Sequence, residues 1–259
     1  MADRAGPGAE RRAAPWWAPL GLCWSFLTVL PAPFVDAKPG QLAVAIAFFP
    51  LVGAALGASL GGIGLVLDRA LPSGPTAVLV LLASALLTGG LHLDALMDTA
   101  DGVFGGTTIR RRLEIMRDSR VGAFGAIAGI LALLGQYACL TEQTGLPRLI
   151  ALVTALAMGR WAMVVAIRAF PPARPEGLGA TFHRSATSGA LAGATALAAL
   201  IAAATFPLGL AALLGTALVA IGGGWFIARR LGGLTGDSYG ALAVVAETLV
   251  LYLAVALGH

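Results

Sequence analysis

Charge is scarce in this sequence. Asp, Glu, Lys and Arg make up 12% of 259 residues, 58% are hydrophobic, and the mean hydropathy is +0.86. A soluble domain needs more charge to cover its surface, so these values exclude the soluble class and leave the membrane class. The same apolar content excludes a disordered low-complexity chain. Cysteine is nearly absent. Cys23 and Cys139 show no paired spacing, which argues against a structural zinc site or a disulfide framework. No soluble domain interrupts the apolar stretches. No internal repeat shows beyond a shared Gly/Ala bias, so an inverted-repeat transporter gains no support.

Apolar runs and small residues are abundant instead. The 35 glycines and many alanines suit close helix packing in lipid. A crossing helix needs roughly 20 apolar residues. Seven stretches qualify: Leu42–Leu67, Thr76–Leu93, Val121–Leu140, Leu149–Ile167, Ser188–Thr205, Leu208–Ala228 and Ala241–Leu257. Pro72, Pro75, Pro147 and Pro207 punctuate the connections. The expected fold is all-α: a polytopic integral membrane helical bundle of about seven transmembrane helices. Residues 1–15 read as a disordered tail and residues 16–259 as one transmembrane catalytic domain. Trp16–Leu30 is short for a span and resembles a signal-peptide core after Arg11-Arg12. Trp16 and Trp17 suit the headgroup level, so the preferred reading is an interfacial or re-entrant segment.

Parity puts the N-terminal region, 94–120, 168–187 and 229–240 on one side. That side collects Arg4, Arg11, Arg12, Lys38, Arg110, Arg111, Arg112, Arg117, Arg120, Arg168, Arg174, Arg184, Arg229 and Arg230; the other has only Arg69 and Arg148. This positive-inside asymmetry predicts that the first side faces the cytoplasm.

Three carboxylates, Asp94, Asp98 and Asp101, are spaced four and three apart, which puts them on one helix face. Their mutual repulsion is relieved by a divalent cation, and hard oxygen ligands suit Mg²⁺ or Mn²⁺ bridging to phosphates. The bland alternative is a solvated helix end with acidic decoration. His92, beside them, reads as a ligand, a base or an interfacial histidine. Of the following arginines, Arg110–Arg112 fit a basic helix on anionic lipid. Arg117, Asp118, Ser119 and Arg120 fit a group that holds a phosphorylated substrate. Gly232–Gly240 reads GGLTGDSYG, with Thr235 and Asp237 in a glycine-rich turn that could complete a metal shell or expose backbone N–H groups to an anion; an ordinary turn is the alternative. Glu247 and Arg160 fall inside spans, where ionisable groups are functional by default or pair with each other. His183 and Arg184 are weaker candidates on the same side. Carboxylates, arginines and glycine-rich turns on one membrane face are the parts phosphoryl transfer uses.

Six motifs carry a resemblance: FLTVLPAP (Phe26–Pro33), FFPLVGAALG (Phe48–Gly57), GGLHLDALMDTADG (Gly89–Gly102), RLEIMRDSRVGAFG (Arg112–Gly125), GRWA (Gly159–Ala162) and GGLTGDSYGA (Gly232–Ala241). Over nearly the whole chain after the tail, the sequence resembles the cobalamin synthase (adenosylcobinamide-GDP ribazoletransferase) family. The resemblance implies joining adenosylcobinamide-GDP to α-ribazole or its 5′-phosphate, with release of GMP and a requirement for Mg²⁺, for which Mn²⁺ could substitute. It implies Asp94, Asp98, Asp101 and Asp237 as metal ligands and Asp98, Asp101, Arg117 and Arg120 as catalytic residues. His92, Asp118, Ser119, Arg160, Thr235 and Glu247 would then contact substrate. The implied setting is a multi-pass protein of the bacterial cytoplasmic (inner) membrane with its site facing the cytoplasm. The implied partners are the two substrates and the bilayer, with no nucleic acid; a homo-oligomer or a complex with other cobalamin pathway enzymes stays open. Two positions depart from the family pattern: Val29 follows Thr28 where Arg is usual, and Ala243-Val244 stand where an Asn-Glu pair is usual. Two rival readings are a CDP-alcohol phosphotransferase-like enzyme, whose signature Asp98–Gly102 matches only in part, and a membrane transporter.

Overall fold

The computed structural model describes residue 15, residues 17–32 and residues 40–258. The tail expected to be disordered lies outside the described residues, apart from Pro15, as do Trp16 and Lys38. The described chain is all-α, with no strand beyond an isolated bridge between Pro172 and Leu234.

Thirteen helices follow in order among the described residues: α1 (Ala18–Leu27), α2 (Gln41–Ala47), α3 (Phe49–Leu67), α4 (Ser73–Thr88), α5 (Leu91–Gly105), α6 (Ile109–Ile115), α7 (Ala123–Thr141), α8 (Leu146–Ala169), α9 (Leu178–Ser185), α10 (Ser188–Ala204), α11 (Leu208–Leu218), α12 (Gly224–Leu231) and α13 (Gly236–Ala256). A π-helical turn, Val219–Gly223, joins α11 to α12, so Leu208–Leu231 runs as one element. Five elements are long and apolar enough to cross a membrane: α3, α7, α8, Leu208–Leu231 and α13. Up to seven cross if the bent pairs α4–α5 and α9–α10 each count as one.

The bends differ from the uninterrupted span expected over Thr76–Leu93. That stretch breaks at Gly89 and Gly90, whose φ of 63° and 70° lie in the left-handed region that glycine tolerates and a helix interior does not. The chain turns there by 87°, so α5 runs transverse to α4. The expected Leu42–Leu67 span likewise divides at Phe48, with Pro50 in the first turn of α3. Trp16–Leu30 forms only the ten-residue α1, which packs on α2 and α3.

Helix α8 is the axis of the bundle. It is apolar on nearly all sides and enclosed from Ala151 to Ile167 with few breaks, as an all-round hydrophobic helix must be. Its closest partner is α3, whose glycines recur every fourth residue. A Cβ at Gly53, Gly57 or Gly61 would lie 2.3, 2.4 or 2.7 Å from the Leu156 carbonyl oxygen, the Leu152 carbonyl oxygen or Leu149 Cα. The backbones touch because these residues lack side chains. Gly57→Leu is therefore expected to lose at least about 1–3 kcal/mol by overpacking. Gly62→Leu, where a Cβ meets nothing within 4 Å, should melt near the parent. Thermal unfolding in detergent compares the two, and equal melting temperatures would remove this account of the α3–α8 contact. On the outside, Leu131, Leu214 and Leu218 are 63–73% exposed and form part of an apolar belt suited to lipid.

The two ends of the bundle are unlike. At one end, Arg148 is buried, its Nη1 donates to Asp68 Oδ1 at 2.6 Å, and Asp68 Oδ2 accepts from Gly145 N at 3.0 Å. Arg148, which ends the connection expected over 141–148, instead lies buried in the first turn of α8, paired because a buried guanidinium cannot stand alone. At the other end, Arg112 Nη1 donates to the Arg230 carbonyl at 3.0 Å, and Arg174 Nη2 donates to the Leu113 carbonyl at 2.8 Å. These contacts and the Pro172–Leu234 bridge draw α5, α6, α9, α12 and the start of α13 into one cluster, as the parity of the loops predicts.

Candidate active site

Helix α5 carries the acidic triad, and three glycines decide where it lies. On one side it packs into α7: a Cβ on Gly125 would lie 2.3 Å from Asp101 Oδ2, and one on Gly129 would lie 3.1 Å from Met97. On the other it packs on α13, where a Cβ on Gly240 would lie 2.7 Å from Ala95 Cβ. This wedging brings α5 to the N-terminus of α13.

Helix α13 starts earlier than the span expected from Ala241. It starts at Gly236, with a reciprocal cap in which Thr235 Oγ1 accepts from Ser238 N and Ser238 Oγ accepts from Thr235 N, both at 3.2 Å. Asp237 is thus in the first helical turn, rather than in the loose turn read from the sequence. Thr235 is 4% exposed and spends its hydroxyl on the cap. Gly233 (φ 151°) allows the preceding loop to close. A Cβ there would sit 2.6 Å from the Pro171 carbonyl, against which Leu234 N donates at 2.9 Å.

Asp94, Asp98 and Asp237 converge. Burial, and then the charges of Asp94, Asp237 and Asp101, push the Asp98 carboxyl up to about 6. Arg174 stands on the far side of Asp237. Burial and the nearby Arg117 push its guanidinium down from its ordinary value, while Asp237 opposes them. Arg174 lies in a proline-rich loop, and reading the sequence assigned it only to the basic side. The Ala173 N to Leu234 O bond, 2.8 Å, is what places it beside Asp237.

Other expected residues go elsewhere. Asp101 is 7% exposed, and its two oxygens accept from Gly122 N at 2.7 Å and Gly125 N at 2.8 Å. It caps the start of α7 from outside, using a carboxylate where the helix has free N–H groups. Asp118 and Arg120 form an exposed pair at 2.7 Å on the connection to α7, where Arg120 holds the Asp118 carboxyl down at about 2. Ser119 and Arg117 are exposed on the same segment. Arg160 and Glu247 bond to each other deep between α8 and α13, the structural alternative weighed from sequence. His92 is 5% exposed and lines both that polar cleft and a cavity of about 220 Å³ opening beside Asp237. His183 Nδ1 lies 2.7 Å from the Ile167 carbonyl, and Arg184 is exposed.

The fit of a divalent ion rests on the donor set. No group of three His, Cys, Asp or Glu side chains among the described residues is gathered tightly enough to hold an ion alone. Mg²⁺ does not require such a cage; one or two carboxylates, waters and substrate phosphates are its usual shell. Neighbouring carboxylates on Asp94, Asp98 and Asp237, with Arg174 close to Asp237, fit that pattern.

An all-α bundle with apolar crossing helices and a buried-edge acidic cluster at one end defines a polytopic helical membrane enzyme. The family profile described as "Cobalamin-5-phosphate synthase" matches residues 19–255. A protein of Roseiflexus sp. named "Adenosylcobinamide-GDP ribazoletransferase" is 40% identical over 251 residues, covering 94% of this chain and 92% of that one. Proteins of the same name from Desulforamulus reducens and Deinococcus radiodurans are each 43% identical, covering 90% of this chain and 94% and 83% of theirs. No solved structure matches. The chain belongs to the cobalamin-5-phosphate synthase family and is an enzyme of cobalamin synthesis.

Proposed function

We propose that the enzyme joins adenosylcobinamide-GDP to α-ribazole, or to its 5′-phosphate, and releases GMP. The carrying observation is the convergence of Asp94, Asp98 and Asp237 beside Arg174 in a chain of this family. The attacking ribose hydroxyl forms a bond to the phosphorus attached to cobinamide. The pyrophosphate bridge to GMP breaks, and GMP leaves with the bridging oxygen. Asp98, whose carboxyl burial and the neighbouring carboxylates push up to about 6, accepts the hydroxyl proton. Asp94 and Asp237 would hold Mg²⁺, or Mn²⁺, beside the pyrophosphate. The ion, when bound, neutralises phosphate oxygens as charge moves onto the leaving group. Arg174 and Arg117 receive the departing phosphate. Asp101 keeps α5 docked on α7 and so fixes the direction of Asp98.

Seven crossings complete the reading, with α4 and α10 as the crossing legs of the bent pairs and α5 and α9 lying transverse. The end rich in arginine then faces the cytoplasm of a bacterial inner membrane by the positive-inside rule. The test is a transferase assay on the full chain in proteoliposomes. GMP and cobamide should form in equal amounts from the two substrates, and chelation should stop the reaction until Mg²⁺ is restored. Undiminished turnover in chelator would remove the metal from the mechanism, and no turnover at all would remove the assignment.

A further inference from the structure

The cavity beside Asp237 has features that the acidic cluster does not explain. Its lining is largely apolar, with Phe26, Met163, Ile167 and Phe182, while Arg174, Glu176 and Asp237 bring charge to it. Two buried polar side chains line it with no hydrogen-bond partner. Both ring nitrogens of His92 and the hydroxyl of Tyr239 are unpaired, and these residues are 5% and 1% exposed. An unpaired buried donor or acceptor is costly, and more than nine in ten buried polar groups find a partner. Two such residues lining one cavity leave a donor for a ligand that enters it.

At the mouth, the N-termini of α9 and α13 meet: a Cβ on Gly179 would lie 2.9 Å from Gly236 N. Arg174 and Asp237 also line this opening. An apolar interior with two neutral polar contacts thus leads to an exit suited to a sugar and a phosphate. The volume, about 220 Å³, is below the roughly 300–1,000 Å³ that encloses a whole drug-sized ligand, so the space takes a base rather than a corrinoid.

We infer that this cavity seats the benzimidazole base of ribazole, with either the Tyr239 hydroxyl or the His92 N–H donating to its one free ring nitrogen and carrying its specificity; the inference rests on the reaction proposed above. The rival occupant in that reaction is guanine. Guanine presents donors and acceptors around most of its perimeter, more than His92 and Tyr239 can pair among Phe26, Met163, Ile167 and Phe182; Arg174, Glu176 and Asp237 also line the cavity, so the KM values decide between the two. A glycosylated benzimidazole has one free ring nitrogen and an otherwise apolar edge, which matches the lining. Asp237 belongs to both the cavity mouth and the acidic cluster, so a base seated here delivers its ribose hydroxyl to the carboxylates.

Equilibrium dialysis of labelled α-ribazole against the full chain in nanodiscs tests this, alongside KM for each substrate. Whichever of Tyr239→Phe and His92→Leu removes the donor to the ring nitrogen should weaken ribazole binding about five- to tenfold and raise its KM equally, with KM for adenosylcobinamide-GDP unchanged. Tyr239→Phe removes a hydroxyl that is unpaired without ligand, so its melting temperature should not fall below the parent's. Ribazole affinity unchanged in both variants overturns the inference while leaving the reaction standing. A rise confined to KM for adenosylcobinamide-GDP overturns it in favour of guanine. A parent that neither binds ribazole nor turns over sinks both readings.

Discussion

Asp98→Asn should lower kcat by about 10²–10⁴-fold, the range of a lost general base, with the protein still folded. The amide is close in shape but can neither accept the proton nor carry the charge that a cation answers. Its effect on stability has the opposite sign. A carboxyl raised from 3.8 to about 6 binds more protons folded than unfolded between those values, so without cation the fold loses stability as pH rises through that window. The change to Asn removes this loss. Cation binding follows the reverse trend, because a proton on Asp98 removes a negative charge beside the ion held by Asp94 and Asp237. Mn²⁺ affinity, read by electron paramagnetic resonance, should weaken as pH falls below about 6 in the parent and do so less steeply in Asp98→Asn, where the Asp237 carboxyl, raised by burial, still titrates. An Asp98→Asn enzyme with parental kcat, or a parent whose Mn²⁺ affinity is flat from pH 5 to 7, would discard the role given to this carboxyl.

Glu247→Ala should cost about 3–5 kcal/mol, because it strands the Arg160 guanidinium, 2% exposed, in the middle of the bundle. The pair is built into the packing: a Cβ on Gly159 would lie 2.7 Å from Glu247 Cγ. Replacing both partners with leucine removes the stranded charge along with its partner, so Arg160→Leu/Glu247→Leu should recover most of the loss. Melting temperatures in detergent for the parent, both single variants and the double variant close the cycle. If Glu247→Gln melts like the parent and yet has no transferase activity, Glu247 belongs to the chemistry rather than to the frame.

Much of the arrangement could be read from residue order because it depends on short-range periodicity. The spans follow from apolar length, and the bounds of α7, α8 and α10 fall within a few residues of those expected. The three carboxylates share a face because they are four and three apart on one helix. The Arg160–Glu247 pair was foreseeable because an isolated charge in lipid must find its opposite. What escaped has partners far along the chain. Gly89-Gly90 reads as a helix interruption, but no local pattern says that α5 leaves it at 87°. Asp101 looks equivalent to Asp94 and Asp98 until Gly122 and Gly125, more than 20 residues on, take both of its oxygens. Arg174 is one basic residue among many until the loop pairs with Leu234.

The sequence by itself determined that this is a polytopic helical membrane protein, which stretches are long and apolar enough to cross, and which residues share a helical face, since hydropathy and the 3.6-residue repeat act locally. Only the tertiary structure decided which acidic groups face Asp237, which one caps a helix, and that an apolar cavity with two unpaired polar groups opens beside them. Those outcomes depend on where glycines let backbones touch, and on which distant N–H or guanidinium is then closest to each buried oxygen.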